Sequence, residues 1–339
     1  MIYLVTGGAG FIGSHLADAL LAAGHTVRVL DDLSTGAVAN LDPRCILIEG
    51  DVADEAIVAG AMDGVDGVFH LAAIASVQRG NEAWGQTHRV NQTGTITVLD
   101  RARACGRVPV VYASSAAIYG TVVGVATEAL RPAPRTAYGA DKFGSELHAQ
   151  VGWLVHGVPS AGFRFFNVYG PRQDPASPYS GVISIFARRI AAQEGVTIDG
   201  DGRQTRDFVF VADVVQHLVA GMAYLRRAPG AIVLNVCTGR ESSLLQLVDA
   251  LATLTNTSPA LTYGPPRAGD IARSVGDPAQ AIALLNVMAT TPLVDGLRTL
   301  VGPLAHKTPV QLTPVQPAPV QQPHAVVSGL RGIASLAGV

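Results

Sequence analysis

The sequence predicts an α/β fold: a doubly wound parallel sheet with a smaller C-terminal α/β lobe. Three observations predict it. Short apolar runs alternate with longer helical patterns through the first half of the chain, the first run breaks at once into three glycines spaced three apart, and small or acidic residues recur where the runs end. Such alternation gives parallel strands joined by right-handed crossovers, and ligands of such sheets sit at the carboxyl ends of the strands. Gly7, Asp31, Asp51, Ala72 and Ser114 all fall at those ends.

The first element is the run Ile2 to Thr6, followed by Gly7, Gly10, Phe11, Ile12 and Gly13. Glycine allows this turn because it tolerates positive φ and has no Cβ to hold phosphates away. Backbone N–H groups at the following helix N-terminus, helped by its dipole, can bind a pyrophosphate. The pattern by itself equally describes a bare strand-to-helix turn. A second strand, residues 26–30, ends in Asp31, whose carboxylate suits the ribose hydroxyls of adenosine and repels a 2′-phosphate. No arginine lies in residues 32–36, so the expected cofactor is NAD(H) rather than NADP(H).

Residues 45–52 form a third strand ending at Asp51 and Val52; Asp51 reads either as an acceptor for adenine, with Val52 against the ring, or as a helix cap. The fourth strand, residues 65–73, ends in His70, Leu71, Ala72 and Ala73, small enough at its end for a cofactor to lie against the backbone. His70, inside an apolar strand, reads as structural rather than as a base. A helix over about 83–105 leads to a fifth strand at 108–113 and then to Ser114 and Ser115. After a proline-broken loop, 124–135, Tyr138 and Lys142 stand four apart, on one face of a helix. A neighbouring ammonium and an oxidised nicotinamide both favour the phenolate, so a downward shift of Tyr138 is expected, fitting it to exchange protons with a substrate hydroxyl. An ordinary surface Tyr–Lys pair has the same spacing.

Composition narrows the function classes. The chain has 339 residues, 48% of them apolar, and a formal charge of −2, so no field gathers nucleic acid or anionic membrane. Its three cysteines are far apart and show no metal spacing, which suits a reducing compartment. No run approaches a membrane span, and Met1 leads straight into the first strand without a signal peptide, so a cytoplasmic protein is expected.

The motifs T-G-G-x-G-F-I-G, Asp31, H-L-A-A at 70–73, S-S-A-x-x-Y-G at 114–120, Y-G-x-x-K at 138–142 and R-F-F-N-V-Y-G-P-R at 164–172 occur in one order and spacing. Together they resemble the extended short-chain dehydrogenase/reductases, in particular the nucleotide-sugar epimerase/dehydratase family and its UDP-hexose 4-epimerases. The resemblance covers about residues 1–300. It implies Ser115, Tyr138 and Lys142 as the catalytic set, Ser115 on the sugar O4, Tyr138 as acid/base, and Lys142 on the nicotinamide ribose. It adds Asp32, Asn91, Ser114 and Phe166 to the NAD contacts. For a UDP-sugar it implies Ser76, Asn167, Val182, Arg206, Arg267, Asp270 and Ser274. Without the family, Arg206 and Arg267 read equally as diphosphate ligands or as solvated surface. The implied organisation is a Rossmann-type NAD-binding domain over 1–170, to which 206–240 partly returns, and a nucleotide-sugar lobe over 171–302. A homodimer through the helices near 83–105 and 136–155 is implied as well.

Departures from the family pattern are informative. Where dehydratases carry Thr-Asp-Glu, this chain has Ser115, Ala116 and Ala117, and Ala116 also replaces the glutamate of decarboxylating relatives. Both favour simple epimerisation. The small Ser274 permits a 2-acetamido sugar without requiring one. Residues 284–288 replace the usual closing Leu-Gly-Trp. From Pro309 a five-residue Pro-Val-Gln period marks 303–339 as an extended, flexible tail.

Overall fold

The computed structural model describes residues 1–174, 181–266 and 271–301; Arg267, Asp270 and the tail lie outside them. Strands β1 (Ile2–Thr6), β2 (Thr26–Asp31), β3 (Ile46–Glu49), β4 (Gly67–His70), β5 (Val110–Ser115) and β6 (Ser160–Phe165) alternate with helices α1 (Phe11–Ala22), α2 (Glu55–Ala61), α3 (Val77–Glu82), α4 (Trp84–His88), α5 (Gly94–Ala104) and α6 (Ala137–His156). Two expected elements are redrawn. The helix expected over 83–105 begins instead at Val77, because the Ser76 hydroxyl caps it; it breaks at Ala83 and passes through a π-turn, Arg89–Thr93, before α5. The strand expected over 65–73 leaves the ladder after His70, and Leu71 through Ser76 become a wall beside the glycine turn.

The chain continues through β7 (Asn167–Tyr169), α7 (Val182–Ala191), β8 (Val196–Asp199), β9 (Thr205–Arg206), β10 (Phe208–Phe210), α8 (Val211–Arg227) and β11 (Ala231–Val236). Then follow β12 (Ser242–Ser243), α9 (Leu244–Thr255), β13 (Leu261–Gly264), β14 (Arg273–Ser274), α10 (Ala279–Leu285) and α11 (Leu293–Val301). The seven strands of the main sheet run in the order β11-β6-β5-β4-β1-β2-β3, all parallel. The period-2 alternation of a sheet covered on both faces is visible in its packing. Tyr3, Val5, Phe69 and Val111 pack with Leu16 and Leu20 of α1 and Leu218 of α8, whereas Leu4, Val68, Val110 and Tyr112 pack with Val58 of α2 and Val98 of α5.

A separate apolar cluster of Ile183, Phe186, Ile190, Ile198, Phe210, Leu247, Leu251 and Leu297 holds the small strands of the C-terminal lobe together. Leu285 and Val287, in the segment that departs from the family pattern, are buried on either side of Asn286, whose left-handed conformation (φ 54°) ends α10. The loop 124–135 is pinned to the lobe: Ala126 donates to Val275 O, and Asp277 donates to Ala126 O, both at 2.9 Å. Among the described residues no helix is long and apolar enough to cross a membrane.

Candidate active site

A cleft of about 1780 Å³ opens along the carboxyl ends of β1, β2, β4 and β5 and extends to the lobe at Gly181 and Phe210. Its floor is the glycine turn. Gly7 has φ +69°, and a Cβ there would stand 2.6 Å from the Ala72 nitrogen; a Cβ on Gly13 would stand 2.2 Å from Gly7 O. Only glycine lets β1, α1 and the Leu71–Ser76 wall come this close. Gly10 occupies the N-cap of α1 and supplies no side-chain cap to the first turn. Gly10 N donates to Gly7 O at 3.2 Å, so the leading N–H groups of α1 that follow it, at Phe11 and Ile12 on the cleft, are the donors suited to a diphosphate.

Asp31 is 7% exposed at the end of β2 and lines the same cleft. One carboxylate oxygen accepts from Ala9 N and the other from Leu33 N, both at 2.9 Å. Burial pushes its pKa up, and these two bonds oppose the shift. Each oxygen retains acceptor capacity for a ribose hydroxyl. Asp32 lines the cleft beside it and accepts from Ser34 N. The two readings of Asp51 resolve against the cap: Asp54 caps α2, whereas Asp51 accepts from Ala53 N at 2.8 Å, pairs with Arg89 and lines the cleft next to the buried Val52. These groups fit an adenine dinucleotide: helix-end donors for the diphosphate, a carboxylate for the ribose, and small residues beside them.

The reactive residues come from two further elements. Ser115 ends β5, and its Oγ accepts from Ala117 N at 3.1 Å, which leaves its single proton for a neighbouring oxygen. Thr136 caps α6 by accepting from Gly139 N, and this sets Tyr138 in the first turn, where it lines the cleft with Ser114, Ser115 and Lys142. Lys142 is 4% exposed; its Nζ donates to Ala113 O at 2.9 Å and lies 5.9 Å from the Tyr138 ring centroid. Burial pushes the ammonium down to about 8, opposed by Asp141.

In the protein without its cofactor, the Tyr138 phenol sits above its ordinary value. Burial pushes the phenol up, and the opposing pull is a hydrogen bond with Ser115 rather than the Lys142 charge. The ammonium is turned toward Ala113 O at the strand end, and the half-buried Tyr138 lines the cleft.

The remaining candidates divide. Leu71, Ala72, Ala73, Ser76, Phe166 and Asn167 line the cleft. Asn91 does not: it is buried behind the wall, with Oδ1 accepting from Ile74 N (2.8 Å) and Nδ2 donating to Ile74 O (3.2 Å). The π-turn points its side chain at the backbone of the wall, which it clamps. Val182 opens α7 next to Gly181 but is not a wall residue. Arg206 and Ser274 also stand outside the main cleft, brought together as parallel partners on β9 and β14; Arg206 Nη1 donates to Thr205 O and Ile271 O.

Sequence reasoning missed what lies beneath the site. Ser114 Oγ donates to Glu146, which is bound at both oxygens by Arg164 (2.9 and 2.7 Å), and Arg164 also donates to the Tyr119 hydroxyl. Both ionic side chains are 6% exposed. The available signal was spacing: Glu146 follows Lys142 by four and Tyr138 by eight, on the same face of α6, and Arg164 interrupts an apolar strand.

A family model described as the NAD dependent epimerase/dehydratase family matches residues 3–237. A UDP-glucose 4-epimerase of Mycolicibacterium smegmatis is 36% identical over 303 residues, covering 87% of this chain and 95% of that protein. A UDP-N-acetyl-alpha-D-glucosaminuronate decarboxylase of Bacillus cytotoxicus is 32% identical over 271 residues, covering 77% and 83%. The crystal structure of a Thermotoga maritima UDP-glucose 4-epimerase with UDP-glucose superposes with a TM-score of 0.85 at 36% identity, covering 89% of this chain and 97% of that one. With the glycine turn, Asp31 and the Ser115–Tyr138–Lys142 set converging on one cleft, this chain belongs to the NAD dependent epimerase/dehydratase family and is an NAD-dependent enzyme of it.

Proposed function

We propose that the enzyme inverts C4 of a UDP-hexose, interconverting UDP-glucose and UDP-galactose, with space for 2-acetamido sugars at Ser274. The observation that carries this reading is the neighbourhood of Ser115. It shares the cleft with Tyr138 and Lys142 and is followed by Ala116 and Ala117, whose methyl groups supply neither the acid and base of water elimination nor the carboxylate of the decarboxylating relatives. Bound NAD supplies hydride acceptance and return at the sugar carbon. Tyr138 takes the O4 proton and later restores it, while the Ser115 hydroxyl orients O4 and stabilises the phenolate. Lys142, with Nζ donors left over after Ala113 O, holds the nicotinamide ribose. Arg206, set beside Ser274 on the lobe, anchors the diphosphate with Arg267, while Asp270 holds the uridine ribose, so that the 4-keto sugar turns over and receives hydride on its other face. The three free cysteines agree with a reducing cytoplasm.

Incubation with UDP-glucose, UDP-galactose, their 2-acetamido analogues and UDP-glucuronate, followed by separation of the products, tests the proposal. Interconversion of a C4 pair is expected. Release of CO2 from the glucuronate, or no conversion of any pair, overturns it. Tyr138→Phe is expected to lower turnover at least ~100-fold while retaining NAD.

A further inference from the structure

Of the buried imidazoles that the proposed reaction leaves unused, one stands directly behind the cleft wall. His70, at the end of β4, is 4% exposed, and it sits in a continuous line of polar groups behind the cleft wall. Ala72 N donates to Thr6 Oγ1 (3.2 Å), Thr6 Oγ1 lies 2.8 Å from His70 Nδ1, and His70 Nε2 lies 3.1 Å from Thr95 Oγ1. Thr95 Oγ1 in turn donates to Asn91 O at 2.6 Å. Counting protons fixes the direction of this line. The single Thr95 proton is committed to Asn91 O, a carbonyl that can only accept, so Thr95 meets His70 as an acceptor and Nε2 must carry hydrogen. Nδ1 is then an acceptor, and Thr6 must donate to it while accepting from Ala72 N. A neutral imidazole satisfies every atom; burial, aided by the nearby Lys142 charge, pushes His70 down to about 3.

The line begins and ends on the same piece of chain. Ala72 is its first donor, and Asn91, its last residue, clamps both backbone groups of Ile74 through its side chain. Between them lies the wall that faces Gly7, where the Ala72 nitrogen leaves no room even for a Cβ. We propose that His70, as its Nε2–H tautomer, is a positioning residue for the dinucleotide: it is the central link of a one-way hydrogen-bond chain that sets the Leu71–Ser76 wall against the glycine turn. Ser145 Oγ, on the helix carrying Tyr138 and Lys142, lies 3.1 Å from Thr95 Oγ1 and donates to Asp141 O at 3.0 Å, so the line runs up against that helix.

Two measurements test this. In the full-length protein labelled with [15N]histidine, the His70 ring, assigned by contacts to the Thr6 and Thr95 methyl groups, is expected to carry hydrogen on Nε2 only and to show no titration between pH 5 and 8. An Nδ1–H tautomer, or protonation within that range, overturns the proposal, and this needs no variant to fold. Second, Thr95→Val keeps the shape but removes the hydroxyl, leaving a buried N–H and a carbonyl unmatched, and is expected to weaken NAD binding about tenfold in a fluorescence titration. Thr95→Ser, which restores the hydroxyl, is expected to bind like the wild type. A valine variant with wild-type affinity, or a serine variant as weak as valine, refutes the role assigned to the chain.

Discussion

At the scale of single residues, the fold spends its burial on groups that would otherwise titrate. His217, fully buried in α8, donates from Nδ1 to Asp213 O (2.7 Å), leaves Nε2 without a partner among the described residues, and packs edge-on against Phe163. Burial pushes it down to about 4. Between pH 6.5 and about 4 the unfolded chain takes up a proton that the folded chain refuses, so His217 lowers stability as pH falls through this window. The contribution reaches roughly 3 kcal/mol at its lower end. His217→Leu is expected to flatten the dependence of the urea midpoint on pH between 6.5 and 4, and an unchanged slope rejects that role. The same logic separates Glu146 from the reactive groups. It is paired at both oxygens, and removing either partner would strand a buried charge, so it reads as architecture beneath Ser114.

At the scale of elements, the decisive unit is the junction of β1, the glycine turn and α1. The strand is held by ladders to β2 and β4 on either side, so the turn cannot move away to accommodate a side chain. Gly13→Ala would push a methyl group to 2.2 Å from Gly7 O, against backbone rather than a flexible side-chain tip. Separation of α1 from the turn and loss of measurable NAD binding by calorimetry are the expected results; retention of wild-type affinity would show that the close packing is dispensable. The π-turn at Arg89–Thr93 works in the opposite sense, by adding slack to a helix. It turns Asn91 inward to Ile74 and lets Arg89 reach Asp51. Such bulges often serve functional sites, and here the bulge places Asn91 where its side chain supports the wall.

At the scale of the whole molecule, α6 has two jobs on two faces. Its inner face carries Tyr138, Lys142, Ser145 and Glu146; its outer face exposes Leu147, Val151, Leu154 and Val155, with Leu154 at 70% and Val155 at 67%. Ile96 on the adjoining α5 extends this apolar stripe. We propose that a second copy of the chain covers it through paired α5 and α6 helices, in keeping with the expected homodimer. Leu154→Glu places a charge in the middle of that surface and is expected to convert a dimer to a monomer in sedimentation velocity at micromolar concentration. A wild-type protein that sediments as a monomer contradicts the pairing.

The sequence by itself determined the sheet, its cofactor end and the candidate set Ser115, Tyr138 and Lys142 that meets in one cleft. Period-2 apolar runs, a glycine turn that no other residue can make, and the four-residue spacing of Tyr138 and Lys142 are local properties, and local properties survive being read in one dimension. It also carried the resemblance that placed the chain in its family. Tertiary structure alone decided which polar atoms are left free to meet a ligand. Asn91 looks as available as Asn167 in the sequence, yet one is spent on Ile74 while the other lines the cleft. Lys142 reads in the sequence as a partner of Tyr138 alone, yet its Nζ also donates to Ala113 O, 29 residues away. Glu146 and Arg164, or Thr6, His70 and Thr95, become networks only when strands and helices far apart in sequence are stacked. Burial and hydrogen-bond partnership depend on every neighbour in space at once, and no spacing along the chain encodes them.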